Sequence, residues 1–131
     1  MDVGAIRTQL AAALDGLGYR TYASVPAAAQ LPCAVAMWPD VVTYNRDLGG
    51  GTEVDITVTV AVSDNDPAAS QAAIDLAMST TTDGMAYRIQ KHPADGAWRA
   101  ATVTTAGNVR QLLVAGATAL AADFTVSIIA P

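Results

Sequence analysis

The chain has 131 residues, a length that suits one domain over residues 1–131 and buries about two thirds of the surface that the unfolded chain exposes. Its net charge is −5, with one lysine and six scattered arginines. Proteins that bind DNA or membrane surfaces on their own use clusters of Lys and Arg, so the charge argues against both functions.

The surface is predicted to carry little charge. Hydrophobic residues make up 52% of the chain and charged residues only 15%, and much of the apolar share is alanine. Such a composition is typical of a protein that buries part of its surface in an assembly, although alanine-rich usage also follows from a GC-rich genome. Both interpretations stay open on composition alone.

Cys33 is the only cysteine, which leaves no intrachain disulfide and no cysteine-based metal cluster. Between Pro32 and Ala34, it is predicted to be a small core residue. The first residues, MDVGAIRTQL, lack the basic start and apolar run of a signal peptide. We also expect no membrane span, because no stretch reaches roughly 20 apolar residues.

The first predicted element is a helix over residues 3–17. Asp2 can cap this helix and Gly18 can end it. The apolar residues follow helical spacing, namely Val3, Ile6, Leu10, Leu14 and Leu17. This pattern predicts an amphipathic helix that buries one face.

Two short strands are predicted next, over residues 19–23 and 34–37, joined by a proline-containing connection over residues 24–32. Trp38 and Pro39 interrupt the second strand, because a proline has no amide hydrogen for a sheet ladder. We therefore expect this strand to lie at a sheet edge or to carry a bulge.

Residues 52–63 form the clearest element of the sequence. The apolar side holds Val54, Ile56, Val58, Val60 and Val62, and the other side holds Glu53, Asp55, Thr57, Thr59 and Ala61. Strict alternation predicts a strand buried on one face, about 40 Å long at ~3.3 Å per residue.

Two further helices are predicted after this strand. Asp66 can cap the first of them with Pro67 at its first position, and the helix ends between residues 79 and 82. Asp83 is predicted to cap a second, short helix that Pro93 closes.

The C-terminal third is predicted to return to strands, over residues 97–105, 109–114 and 119–129. The last of these alternates as residues 52–63 do, so the two are predicted neighbours in one sheet. The fold class predicted is α+β, with a largely antiparallel or mixed sheet and helices packed on one face.

Candidate chemical groups are few. His92, the only histidine, stands at a polar helix end where histidines are common without a catalytic role. The Asp64-Asn65-Asp66 run lacks the glycine and the distal glutamate of a calcium loop. The glycines 49–51 precede a strand with no lysine nearby, which favours a hairpin tip over a phosphate loop. We therefore expect no enzyme activity, no metal and no cofactor.

A family resemblance accompanies these patterns. The run LPCAVAMWPDVVTYNRDLGGGTEVDITVTVAVSDNDPAASQAAIDLAMS, with the later ALAADFTVSIIAP, resembles the tail terminator proteins of long-tailed bacteriophages, especially those of actinobacteria. The matching features are a Pro-bounded strand, a Tyr-x-x-x-Leu-Gly-Gly-Gly loop, a long Val-rich strand, an acidic turn, a helix and a closing strand. Residues 80–98 follow the family pattern only loosely.

The resemblance implies a virion structural protein of the tail and neck, assembled in the host cytoplasm. Six copies would close into a ring that caps the tail tube and meets the head-tail connector, while DNA passes through the central channel without specific binding. The residues implied in contacts with a neighbouring subunit or the tube are Tyr44, Arg46, Leu48, Gly49, Gly50 and Gly51. The acids implied at the channel are Asp47, Glu53, Asp64 and Asp66, for which ordinary turn and surface roles are the alternative.

Two alternatives remain open. The chain could be another phage part, such as a tail tube subunit or a head-side connector protein. It could also be a small-ligand binding domain, with a pocket near Asp55, Asp123 or His92. For Glu53, Asp55 and Asp123, a solvated sheet face or a subunit contact is the simpler interpretation.

Overall fold

The computed structural model describes residues 1–44, 51–93, 95–114 and 116–130. In chain order the elements are α1 (Val3–Leu14), β1 (Arg20–Tyr22), β2 (Cys33–Thr43), β3 (Thr52–Ser63), α2 (Pro67–Met78), α3 (Met85–Lys91), β4 (Ala100–Val114) and β5 (Ala117–Ala130). The five strands form one sheet in the order β1-β2-β3-β5-β4. Only β1 and β2 pair in parallel, and the other three pairings are antiparallel. The α+β class and the mixed sheet are confirmed.

The core lies between the helices and one face of the sheet. All three helices contribute to a single buried cluster, in which Ile6 and Leu10 of α1, Ile74 of α2 and Ile89 of α3 meet the sheet. The apolar side of β3 is at most 5% exposed along its whole length. Phe124 of β5 lies opposite Val58 and is the largest fully buried side chain. The predicted neighbours β3 and β5 therefore do share the face that the helices cover.

Helix α1 is shorter than its apolar spacing predicts. It ends at Leu14 with Asp15 as its C-cap, and Gly16 adopts a φ of 92°. This left-handed conformation suits glycine and stops the helix two residues before the expected Gly18. Leu17 still packs against the core, but from the turn.

Helix α2 begins as predicted, because the Asp66 carboxylate accepts hydrogen bonds from the amides of Ala68 and Ala69 and Pro67 opens the helix. The predicted cap of α3 is wrong. The N-cap is Gly84 and not Asp83, and it makes no side-chain hydrogen bond. A methyl group on Gly84 would lie 2.0 Å from the carbonyl oxygen of Ser79, so only glycine fits there.

The strand predictions need two corrections. Strand β2 does not end at Met37 but runs through Trp38 and Pro39 to Thr43, with register shifts on both sides of Pro39. The stretches predicted as two strands, 97–105 and 109–114, are one strand, β4, with shifts between Val103 and Thr105 and between Gly107 and Arg110. A bulge absorbs one irregular residue and lets pairing resume, so a strand can outlast the interruption in its sequence pattern.

The glycine at position 84 provides a test of the fold. We expect Gly84→Ala to lower the free energy of unfolding by about 2 kcal/mol or more, because the methyl group meets backbone that cannot move aside cheaply. Gly107→Ala is the matched control, since a methyl group there meets nothing within 4 Å. Urea unfolding of both variants checks this, and equal stabilities would contradict the close approach of α3 to Ser79.

Candidate functional site

The helix-free face of the sheet carries most of the polar strand residues. Glu53 and Asp55 lie near one end of β3, Thr57 and Thr59 follow, and Asp123 stands opposite Thr59 on β5. The Ser127 hydroxyl donates a hydrogen bond to Glu53 over 3.0 Å, and the Thr57 hydroxyl donates to Asp40 of β2 over 2.7 Å. This surface is thus a carboxylate and hydroxyl face, held in place by bonds between neighbouring strands.

Asp123 lies at the centre of a group of four polar side chains on this face. Its carboxylate accepts hydrogen bonds from Thr59 Oγ1 (2.8 Å) and Asn108 Nδ2 (2.9 Å), and Arg110 Nη1 lies 3.1 Å away. Burial alone would raise the pKa of Asp123, but these hydrogen bonds and the positive charge of Arg110 together hold that pKa below its usual value. The carboxylate is therefore ionised at neutral pH, and its oxygens are engaged by Thr59, Asn108 and Arg110.

The β4 bulge makes this group possible. Asn108 has a φ of 53°, a left-handed conformation that asparagine tolerates better than most residues. Its backbone carbonyl accepts a hydrogen bond from Arg110 Nη1 over 2.9 Å, and its side-chain amide donates a hydrogen bond to Asp123. Neither Asn108 nor Arg110 stands out in the sequence, because their juxtaposition with Asp123 depends on the bulged pairing of β4 with β5.

An open apolar groove of about 360 Å³ lies on the same face, beyond Asp123. Val25, Pro26, Met37, Leu112 and Val114 are among the residues that line it. Cys33 and Ala61 of its lining belong to a second buried cluster, which also holds Val35, Ala119 and Ala121. Burial raises the pKa of the Cys33 thiol, which suits the predicted core role.

The predicted contact residues are only partly described. Arg46, Leu48, Gly49 and Gly50 lie outside the described residues, so their proposed contacts stay predictions, as does the channel role of Asp47. Of the remaining two, Tyr44 is 69% exposed at the end of β2, whereas Gly51 is buried at the start of β3.

The three described acids with a predicted channel role are in different surroundings. Glu53 lies on the helix-free sheet face. Asp64 accepts hydrogen bonds from Ser70 and Gln111, and Asp66 caps α2. The last two therefore have local structural roles, and their predicted place at a channel is untested.

The residues suggested for a ligand pocket do not converge. His92 Nε2 lies 2.8 Å from Gln9 Oε1, and its ring makes a tilted contact with that of Trp98, with centroids 6.2 Å apart. Asp55 and Asp123 lie on the helix-free face of the sheet. Within the described ranges, no group of three or more His, Cys, Asp or Glu side chains could hold a metal ion. None of the described helices has the length and apolar composition to cross a bilayer.

Both long edges of the sheet are open in the described part of the chain. Strand β1 covers only Cys33–Val35 of β2, so the rest of β2 has a neighbouring strand, β3, on one side only. Strand β4 pairs only with β5 along its whole length. Four large apolar side chains are more than half exposed on these edges, namely Trp38, Val41, Val109 and Leu113. Proteins that remain monomeric protect such edges with charge, proline, bulges or cover. Pro39 and the register shifts of β2 and β4 interrupt these two edges, but their large apolar side chains stay exposed, which makes the edges the candidate interface.

Arg7 is a second feature that the predictions missed. It points from α1 under the indole of Trp38, with its guanidinium carbon 4.6 Å from the ring centroid. Arg7 is only 9% exposed, and its Nε and Nη2 atoms are buried with no hydrogen-bond partner in the structure as described. The sequence contains a signal for this, since Arg7 takes a helical spacing of four from Val3 on the apolar side of α1.

Comparisons with known proteins do not identify a family. No protein-family model matches the chain, and no curated protein gives a significant match. The function must therefore be argued from the sheet edges, the polar sheet face and the sequence resemblance.

Asp123 makes the polar face testable by pH. A carboxylate whose pKa is lowered by folding stabilises the protein above its unfolded pKa of about 3.9, and this contribution is lost as pH falls through the folded pKa. We expect Asp123→Asn to cost about 1–2 kcal/mol at pH 7 and progressively less below pH ~4. Asp55→Asn removes the same charge from a carboxylate that makes no hydrogen bond or ion pair with the described residues, so it serves as control. Equal losses at pH 7 and pH 3 would contradict the assignment.

Proposed function

We propose that the chain is a phage virion structural protein, a tail terminator. Six copies form a ring that caps the tail tube, joins it to the head-tail connector and leaves a central channel for DNA. The proposed location is the tail and neck of the virion, reached by assembly in the host cytoplasm. The resemblance of residues 1–129 to that family motivates the proposal.

The observation that carries the proposal is the presence of two open edges on opposite sides of one sheet. A cyclic ring needs two different surfaces on each copy, placed so that one meets the other on its neighbour. The edge of β2 and the edge of β4 satisfy this requirement. A monomeric binding domain has no need of two open edges that together expose four large apolar side chains.

The polar sheet face adds support from charge. Glu53, Asp55 and Asp123 give this face an acidic character, and its one arginine on β4, Arg110, is engaged by Asp123. A surface of this sign repels DNA phosphates, so DNA could slide past it without the counterion-driven binding of a basic groove. The overall charge of −5 has the same sign.

Solution mass and electron microscopy test the proposal. We expect a closed ring of about 80 kDa, six times the chain mass of 13.4 kDa, either in free solution or on the ends of isolated tail tubes. Negative-stain images of the protein mixed with tubes should show a single ring at one tube end and no further tube growth from that end.

Two outcomes would count against a terminator. Open-ended cylinders of the protein alone would indicate a tail tube subunit, because an unclosed stack continues to grow. A strict monomer that neither forms rings nor binds tube ends would contradict the whole proposal.

A further inference from the structure

We propose that the open edge of β2 in one copy pairs with the open edge of β4 in a second copy, so that the sheet continues from subunit to subunit. Trp38, stacked on the buried Arg7, is the energetic anchor of this contact. The inference deepens the proposed function and rests on it only for closure of the contact into a ring.

Strand direction supports this pairing. Along the sheet, β2, β3, β5 and β4 alternate in direction, so the two edge strands β2 and β4 run opposite to each other. When neighbouring copies are related by rotation about an axis roughly along the strands, β4 of one copy lies antiparallel to β2 of the next. Antiparallel pairing is the arrangement of three of the four ladders already in the sheet, and the more stable one per residue.

Charge favours unlike edges over like edges. Asp40 is the only charged residue of β2, and Arg110 is the only charged residue of β4. Arg110 is already paired with Asp123, so the β4 edge carries little free positive charge. Pairing β2 with β4 still keeps like charges apart, whereas pairing β2 with β2 would bring two copies of Asp40 toward each other, which costs free energy when they lie opposite across two strands.

The two edges are also alike in their exposed side chains, since each edge exposes large apolar residues. Trp38 and Val41 are 66% and 54% exposed on β2, and Val109 and Leu113 are 52% and 79% exposed on β4. Neither strand carries a lysine, although Pro39 on β2 has no amide to donate to a second copy. Burial of these side chains against a second copy removes apolar area from water at both edges.

Trp38 and Arg7 have the character of an interface anchor. The Nε and Nη2 atoms of Arg7 are already removed from water, so a neighbouring chain that covers Trp38 adds little further desolvation cost at the guanidinium. Removing the exposed indole from water strengthens its attraction to the cation beneath it. Trp and Arg are also the residue types that most often dominate interface energies.

Cysteine cross-linking between copies tests the pairing. In a Cys33→Ala background, Val41→Cys is placed on β2 of one protein, and single cysteines are placed along β4 of another, at Thr102, Thr104, Val109 and Leu113. We expect disulfide-linked heterodimers in mixtures of the two proteins for at least one β4 position. The full double variant should give a ladder of covalent oligomers, and the position that cross-links best identifies the register.

Each other result of this experiment counts against the pairing. A β4 cysteine protein that cross-links efficiently with itself alone would show a two-fold contact between like edges. No cross-link at any position, tested to millimolar protein or on tube ends, would overturn the inference. If tube ends are still capped in that case, the proposed function stands and only the pairing fails. If heterodimers form but tube ends are never capped, the pairing stands and the terminator function fails.

Trp38→Ala tests the anchor. We expect it to weaken association of the copies by about 30-fold or more, the loss typical of an interface hot spot. Leu76→Ala, which truncates a half-exposed side chain on α2 away from both edges, should leave association unchanged. Trp38→Phe should restore part of the affinity if the ring over Arg7 matters. Sedimentation velocity measures association, and circular dichroism confirms that each variant is folded. Equal association by Trp38→Ala and the wild type would overturn the anchor role.

Discussion

The twelve-residue ladder between β3 and β5 is the constraint on which the rest of the structure depends. Each strand largely alternates apolar and polar residues, and their register places the large buried apolar side chains on one face. The three helices then have one surface to cover, and they cover it with a single cluster. A shift of one residue in this ladder would turn Val58 or Phe124 outward, so the apolar pattern holds the register firmly.

The same ladder determines which surfaces of the sheet the helices leave uncovered. Because all three helices pack on one face, the other face keeps its carboxylates, hydroxyls and the apolar groove. Because β3 and β5 are central, β2 and β4 become edges, and β1 is too short to cover more than three residues of β2. The assembly surfaces proposed for this protein are therefore a consequence of how its core is made.

Few residues of this chain are charged, and Asp123 and Arg7 show two ways in which a charged side chain is accommodated away from water. Asp123 is half-buried yet satisfied, with hydrogen bonds from two other strands that hold its pKa low. Arg7 is buried against the Trp38 ring, and its Nε and Nη2 atoms have no hydrogen-bond partner among the described residues. A buried cation without a hydrogen-bond acceptor is costly, so the second arrangement is the one that a binding partner could improve.

Much of this architecture could be predicted from the sequence. Period-two alternation determined β3 to the residue, and the Asp66-Pro67 pair determined the start of α2, because both signals act through the local backbone. Tertiary structure decided the rest. The continuation of β2 through Pro39 and of β4 through Asn108 depends on neighbouring strands that resume pairing after a bulge. Arg7 lies under Trp38, and Asp123 meets Arg110, although the members of each pair are distant in sequence. The second contact also depends on the bulge of β4. No local pattern encodes which side chains a sheet brings together.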